Sequence, residues 1–322
     1  MSILSKPYFH DEAAAFAHLE AVLWPNGPVC PHCGVIDNAY ALKGVRTKPS
    51  KKNPEGVERH GLWKCADCRK QFTVRVGTVF EISHIPLPKW LQAVYLMSCS
   101  KKGVSAHQLH RILEITYKAA WFMAHRIREA MRDGSLAPMG GAGKIVETGE
   151  TYFGDKAVVT KRTRKDKSGL ASKRAVLALV ERGGKVRSFH VEQMQQADVQ
   201  DIVRGNVDRA SHLFTDKSRL HLHEGSQFAS HETVKHAAGE YVRYEENGPV
   251  HTNTVENVFS VFKRGMKGVY QHCSEKHLHR YLAEFDFRYN RRSAFGIEDQ
   301  ERAQTALECI KGKRLYYRQP PQ

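Results

Sequence analysis

The sequence lacks any apolar run that approaches the ~18 residues needed for a membrane-spanning helix. Ala175–Val180 is typical of its longest apolar stretches. A transmembrane protein is therefore excluded, and we expect no membrane partner. We expect no signal peptide either, because Asp11, Glu12, His18 and Glu20 stand where its apolar segment would lie.

Acidic residues are also scarce. Aspartate and glutamate total 34 against 50 lysines and arginines, which gives a formal charge of +16 at pH 7. A surplus of this size favours a polyanionic partner, and we predict double-stranded DNA. Combined with the missing export signal, the charge predicts a cytoplasmic, nucleoid-associated protein.

Cysteine is limited to seven of the 322 residues. In a chain without an export signal, so few cysteines indicate metal ligands or buried thiols rather than disulfides. Apolar residues make up 41% of the chain, which excludes a wholly disordered protein. At roughly 100–200 residues per domain, the length predicts two or three domains.

Four of the cysteines form two CxxC pairs, Cys30 with Cys33 and Cys65 with Cys68. Two tight turns of this kind can complete a tetrahedral Zn²⁺ site. The 31 residues between the pairs exceed the usual spacing, so we expect an inserted loop. The alternative is two unrelated buried cysteine pairs. We predict a structural zinc ribbon over residues 1–78, because four cysteine ligands leave no coordination position open for water.

Residues 79–132 carry helical periodicity and are predicted to form a helical DNA-binding module. Ser105–Glu114 and Lys118–Met131, separated by a short break, resemble a helix-turn-helix with Ser105 as N-cap. The second helix offers Lys118, Arg126 and Arg128 as phosphate contacts. The alternative is an ordinary helical pair with a solvated basic face.

A glycine-rich linker at 133–143 precedes a region with strand patterns at Lys144–Phe153, Arg174–Val180, Lys185–Val191 and Ser211–Thr215. Helical patterns follow, so residues 144–295 are predicted to form a mixed α/β domain, with a C-terminal tail at 296–322. Within this domain, a basic loop is expected to bind DNA phosphates, and the alternative is that the loop has no role in binding. Its candidate contacts are Lys161, Arg162, Arg164 and Lys165.

Acidic residues at strand ends are candidate ligands for divalent ions that support phosphoryl transfer. Asp216 directly follows the strand Ser211–Thr215, although a lone aspartate there is also a common turn former. On the helix predicted over Thr252–Met266, Asn253, Glu256 and Lys263 share one stripe. Alternatively, Asn253 caps this helix and Glu256 bonds back to the backbone amide of Asn253.

Several motifs resemble the DDE-type insertion-sequence transposases, in particular the group with a zinc-ribbon N-terminus and a third catalytic position that varies between Asn and Glu. The motifs are Val146–Gly154, Phe214–Asp216, His251–Glu256, Lys263–Gly265 and Arg288–Asn290. The resemblance covers about Trp24 to Asn290 and keeps the motif order.

The resemblance implies an RNase H-like catalytic domain, two Mg²⁺ ions, and cut-and-join chemistry on terminal inverted repeats and target DNA. It places the second acid on Asp216, the third position on Asn253 or Glu256, and a basic residue on Lys263. Chemistry at two element ends also implies a homodimer or larger assembly on DNA.

One position departs from the family. The first catalytic aspartate is replaced by Gly149, which offers no oxygen to a metal. On a strand, Glu147 shares the face of Gly149 but lies ~7 Å away, whereas Glu150 points to the other face. Replacement by Glu147 is therefore not expected, and we predict impaired strand cleavage.

Three functions follow as hypotheses. The first is a transposase with impaired cleavage, and the second is a catalytically inactive, repressor-like DNA-binding derivative. The third is a metal nuclease that uses Asp216, Glu256 and Glu147.

Overall fold

The computed structural model describes residues 2–51, 53–134, 137–155, 173–216, 218–221, 227–245 and 248–316. The predicted DNA contacts Lys161, Arg162, Arg164 and Lys165 lie outside these ranges. The chain divides into two compact units. The first unit contains Met1–Met131 and Ser293–Gln322, and the second contains Arg132–Arg292.

The first unit begins with helix α1 (Glu12–Leu23), which Asp11 caps by accepting a hydrogen bond from the backbone N–H of Ala14 at 2.7 Å. A three-stranded antiparallel sheet follows, with strands β1 (Ala39–Ala41), β2 (Trp63–Cys65) and β3 (Gln71–Phe72). β1 pairs with β2, and β2 with β3, as expected for a small ribbon.

Three helices follow the ribbon: α2 (Leu87–Cys99), α3 (Ala106–Leu113) and α4 (Tyr117–Met131). Ser105 caps α3 through a complete capping box with Gln108, as the sequence predicts for Ser105. Glu114 then takes a left-handed conformation that ends α3.

The prediction that α4 presents an exposed basic face is wrong. Arg126 and Arg128 are 7% and 2% exposed, because almost every residue of α4 from Met123 onward is buried in the first unit. Arg126 donates to the backbone carbonyl of Glu81. Only Lys118, in the first turn of α4, is exposed among the three predicted contacts.

The C-terminal tail predicted at 296–322 contains helix α8 (Asp299–Glu308). α8 packs against α2 in the first unit, where Arg302 donates to the backbone carbonyl of Ser98 at 3.2 Å. This segment is therefore part of the core of the first unit.

The second unit is built on a five-stranded sheet with strand order β6-β5-β4-β7-β8. The strands are β4 (Ile145–Asp155), β5 (Lys173–Glu181), β6 (Val186–Val191), β7 (His212–Asp216) and β8 (Ser230–Val234). β4, β5 and β6 form an antiparallel meander, whereas β7 pairs parallel to β4, and β8 pairs parallel to β7. A small hairpin of β9 (Arg243–Glu245) and β10 (Gly248–Val250) follows.

Helices cover both faces of this sheet. Helix α5 (Gln196–Asn206) supplies Val199 and Val203 to a core on one face. Helices α6 (Asn253–Gly265) and α7 (Leu278–Asn290) pack on the other face, and a π-helical turn at Met266–Tyr270 extends α6.

The predicted α/β architecture, with a zinc ribbon and an RNase H-like mixed sheet, is confirmed. β4 and β7 are parallel neighbours, and β7 ends at Asp216 beside the middle of the longer β4, which continues to Asp155. Among the described residues, no helix has the length and apolar character needed to cross a membrane.

Candidate active site and metal centre

The four cysteines of the CxxC pairs lie together in the first unit, with all Sγ atoms within 4.8 Å of one another. Cys30 Sγ lies 3.6 Å from Cys68 Sγ, and Cys33 Sγ lies 3.6 Å from Cys65 Sγ. Zn–S bonds of about 2.3 Å in a tetrahedron place sulfurs about 3.8 Å apart. The cluster therefore fits a structural Zn²⁺ ion.

The backbone around Cys30 favours the thiolate form that a metal requires. Burial alone would raise the pKa of the Cys30 thiol. Hydrogen bonds from the backbone N–H groups of His32 and Cys33 outweigh burial and lower this pKa to about 7. For Cys33, a backbone hydrogen bond from Val35 would lower the pKa, but burial and the neighbouring thiols raise it to about 12. Within the first CxxC pair, Cys30 is therefore the thiol that ionises more readily.

Gly149 lies on β4 and faces helix α6. A Cβ atom at this position would stand 3.2 Å from Val255 Cγ1 and 3.4 Å from Phe259 Cε2. The side chains of α6 therefore already fill the space beside Gly149. An aspartate here would require Val255 to shift by a few tenths of an ångström.

Glu147, two residues earlier on β4, is completely buried and fully engaged. Its Oε1 accepts from Arg182 Nε at 3.0 Å, and its Oε2 accepts from the backbone N–H groups of Thr254 at 2.8 Å and Val255 at 3.1 Å. The carboxylate thus caps the N-terminus of α6 from the sheet. The predicted nuclease role of Glu147 is wrong, because protein donors already occupy both of its oxygens.

The alternative cap by Asn253 is also wrong. Thr252 is the N-cap of α6 and makes no side-chain capping bond. Asn253 is the first residue of the helix, and its backbone N–H donates to His251 Nδ1 at 3.3 Å. The amides that need a partner are served by Glu147 instead.

Asp216 stands at the end of β7 and clusters with two residues that the sequence did not indicate as ligands. Glu150 Oε2 lies 3.3 Å from His221 Nε2, and Asp216 Oδ1 lies 3.9 Å from the same nitrogen. The three ligand atoms lie within 4.8 Å of one another. Glu150 was expected to point away, but Asp216 projects from the strand end and reaches it.

The two carboxyl groups of this cluster influence each other. Burial and the negative charge of Glu150 raise the pKa of Asp216. Burial would also raise the pKa of Glu150, but hydrogen bonding and charge attraction from His221 lower it overall. The site therefore brings two acidic groups together where β7 ends beside the middle of β4.

Helix α6 brings two of its three predicted residues to a cavity beside Glu150. Glu256 and Lys263 line a cavity of about 760 Å³ together with Glu150. Glu256 Oε1 lies 3.2 Å from His236 Nε2. Partial burial and the positive charges of Lys267 and Lys173 lower the pKa of Lys263. Asn253 is exposed and is not one of the residues that line this cavity.

Comparison with known protein families agrees with both units. Residues 140–290 match the family model described as an ISXO2-like transposase domain, and residues 10–71 match the transposase zinc-ribbon domain. The chain therefore carries a transposase zinc-ribbon domain followed by an ISXO2-like transposase domain. The first match spans Gly149, Asp216 and Glu256, and the second contains the cysteine cluster.

The transposase assignment extends to a relative of similar length. The chain is 28% identical over 321 residues to the "Uncharacterized protein in transposable element ISH50" of Halobacterium salinarum. The alignment covers 93% of this chain and 97% of the relative. The two proteins are therefore similar over nearly their full lengths.

Proposed function

We propose that the protein is the DNA transposase of an insertion sequence, which binds terminal inverted repeats and carries out Mg²⁺-dependent strand cleavage and transfer at an impaired site. The observations that carry this proposal are found at the edge of the sheet where β7 ends. Asp216 clusters there with Glu150, and Glu150 lines a cavity together with Glu256. The impairment follows from Gly149, which removes one carboxylate from this edge.

Asp216 and Glu256 are the residues that would hold Mg²⁺. Glu256 is preferred to Asn253 as the third position, because Glu256 lines the cavity beside Glu150 and Asn253 does not. Divalent ions in such sites activate the attacking oxygen and stabilise the leaving oxygen during phosphodiester cleavage and joining.

The chain's own cations would position the DNA. Lys263, Arg264 and Lys267 line the cavity on the side of α6. A phosphate bound between Lys263 and Lys267 would relieve the repulsion between these two cations. Exposed Lys118 on α4 adds a contact in the first unit. We further propose that the DNA-bound form is at least a homodimer and acts in the cytoplasm at the nucleoid.

A second candidate function is DNA binding without catalysis. Val255 and Phe259 stand in van der Waals range of the missing side chain at position 149, so the packing is complete without an aspartate. A chain of this kind would bind the element ends and compete with an active copy.

Nicking of a supercoiled plasmid that carries the element's own ends, in Mg²⁺, tests the proposal. We expect weak nicking by the wild type and an increase on the order of a hundredfold for Gly149→Asp, equivalent to about 2.7 kcal/mol of barrier. Gly149→Ala is the matched control, because it meets the same Val255 contact without adding an oxygen.

Asp216→Asn in the Gly149→Asp background should abolish the gain. If Gly149→Asp nicks no better than Gly149→Ala while both still shift the end DNA in a gel, the impaired-transposase proposal fails and the non-catalytic function stands. Strong nicking by the wild type removes the claim of impairment.

A further inference from the structure

The cluster of Glu150, Asp216 and His221 contains two residues, Glu150 and His221, that the transposase resemblance does not assign. His221 lies in a short 3₁₀ turn after β7, and only 1% of its side chain is exposed. Its Nε2 faces both carboxylates, at 3.3 Å from Glu150 and 3.9 Å from Asp216. A buried nitrogen and two carboxylates thus converge on one point.

The charge of this cluster is incompletely balanced by the described residues around it. Asp216 accepts from the backbone N–H of Ser218 at 3.2 Å, and Ser218 also hydrogen-bonds to Glu150. These donors are neutral, and one imidazole faces two carboxylates. By contrast, the buried Glu147 on the same strand contacts the guanidinium of Arg182 at 2.9 Å. A divalent cation would supply the missing charge.

We propose that Glu150, Asp216 and His221 bind one divalent transition-metal ion, with Mn²⁺ preferred to Mg²⁺. An imidazole nitrogen is a poor ligand for Mg²⁺ but binds first-row transition metals well. Glu150 and His221 thereby supply donors on the strand where Gly149 supplies none. The relevance of this site to catalysis rests on the proposed function, but metal binding itself does not.

The distances fit such an ion after small side-chain movements. Neighbouring ligands at about 2.1 Å from an octahedral ion lie about 3.0 Å apart, and opposite ligands lie about 4.2 Å apart. The observed separations of 3.3 and 3.9 Å fall between these values. Asp216 keeps 36% of its side chain exposed, which leaves a path for the ion and for completing waters.

The test is Mn²⁺ binding by the full chain, with Zn²⁺ already bound at the cysteines and no DNA present, followed by electron paramagnetic resonance. We expect one Mn²⁺ per chain, displaced by Mg²⁺ only at a concentration on the order of tenfold higher or more. His221→Asn and Glu150→Gln should each weaken Mn²⁺ binding on the order of tenfold or more.

His190→Asn is the matched control. His190 Nε2 also lies 3.3 Å from a carboxylate, that of Glu275, but no third metal ligand is grouped with this pair among the described residues. Its removal should leave Mn²⁺ binding unchanged. Circular dichroism checks that each variant is folded, and the wild-type titration needs no variant.

Failure to bind Mn²⁺ in the wild type overturns the inference, and so does equal binding by wild type and folded His221→Asn. His221 would then be an ion-pair partner that positions the carboxylates. The Mn²⁺ measurement contains no DNA, so the two proposals can fail separately. If Mn²⁺ binds as expected but Gly149→Asp nicks DNA no better than Gly149→Ala, only the proposed function is rejected. If Gly149→Asp gains nicking but Mn²⁺ does not bind, only the metal site is rejected.

Discussion

The cysteine cluster of the first unit and the buried carboxylate of Glu147 in the second unit differ in what balances their negative charge. In the ribbon, four cysteine sulfurs lie within 4.8 Å of one another, an arrangement that fits a bound Zn²⁺ ion. In the pocket, Arg182 and the amides of α6 surround a single buried carboxylate. The protein supplies the positive charge in the second case and leaves it to a metal in the first.

This difference shows which acidic groups remain available to a metal. Glu147 has no oxygen to spare, although it lies on the face of the missing first aspartate. Glu150 and Asp216 share one imidazole and neutral donors, so they resemble the cysteine cluster more than they resemble Glu147. The acidic groups available to a metal are therefore identified by how completely protein donors balance their charge, and not by their position in the sequence alone.

Loss of zinc should have the largest effect. Cys65→Ser, or a strong chelator, should release one Zn²⁺ per chain and unfold β1–β3, because structural zinc sites contribute about 10–16 kcal/mol of binding free energy. Near-ultraviolet circular dichroism should report the lost packing of Trp24 on Trp63, whose rings are 6.1 Å apart. Cys309→Ser is the control and should keep its metal. A ribbon that stays folded without zinc would contradict the view that the cysteine cluster depends on a metal while Glu147 depends on protein donors.

Removal of Glu147 should come next. Glu147→Ala leaves Arg182 without its carboxylate and the first amides of α6 without an acceptor, and we expect a loss of about 3–5 kcal/mol in the free energy of unfolding. Urea denaturation followed by fluorescence measures this loss. The control Glu181→Ala removes a more exposed pair with Lys144 at 3.8 Å and should cost about 0.5 kcal/mol or less. Similar losses in both variants would contradict the capping role.

The smallest effect concerns Asp286, a half-buried acid held by the neutral donors of Ser188 at 2.7 Å. Burial raises the pKa of Asp286 from 3.8 to about 6. The folded state therefore binds this proton more tightly, and the stability it contributes is present below about pH 4 and lost as the pH rises through about 6. Since part of the side chain is solvent-accessible, we expect a change on the order of 2 kcal/mol.

Urea midpoints at pH 4 and pH 7 test this sign. The stability of the wild type relative to Asp286→Asn should fall between the two values, whereas Asp201→Asn, at an exposed position of α5, should show no such trend. A relative stability that rises with pH would contradict this, because it would mean that donors in the folded protein stabilise the ionised carboxylate of Asp286.

The sequence was sufficient for features that depend on local pattern. The CxxC spacing predicted the zinc ribbon, strand patterns predicted four of the five strands in the sheet of the second unit, and Ser105 predicted the start of α3. The absence of a carboxylate at Gly149 could also be recognised from the sequence, because the motif around this position is contiguous.

Features that depend on distant partners could not be predicted in this way. Glu147 caps a helix 107 residues away, so no local signal distinguishes it from a metal ligand. Glu150 and His221 meet Asp216 only because β4 and β7 are neighbours and a short turn follows β7. Likewise, the periodicity of α4 did not reveal that Arg126 and Arg128 face the core, because that core includes helices from elsewhere in the chain.

Helix α8 has a consequence for synthesis of the protein on the ribosome. Its residues are translated after the whole second unit, yet they complete a core begun by α2 some two hundred residues earlier. Domains usually finish folding in the order in which they emerge. Here the second unit can fold first, and the first unit must wait until α8 has emerged. A product that terminates before α8 would therefore carry an intact five-stranded sheet and an incompletely folded first unit.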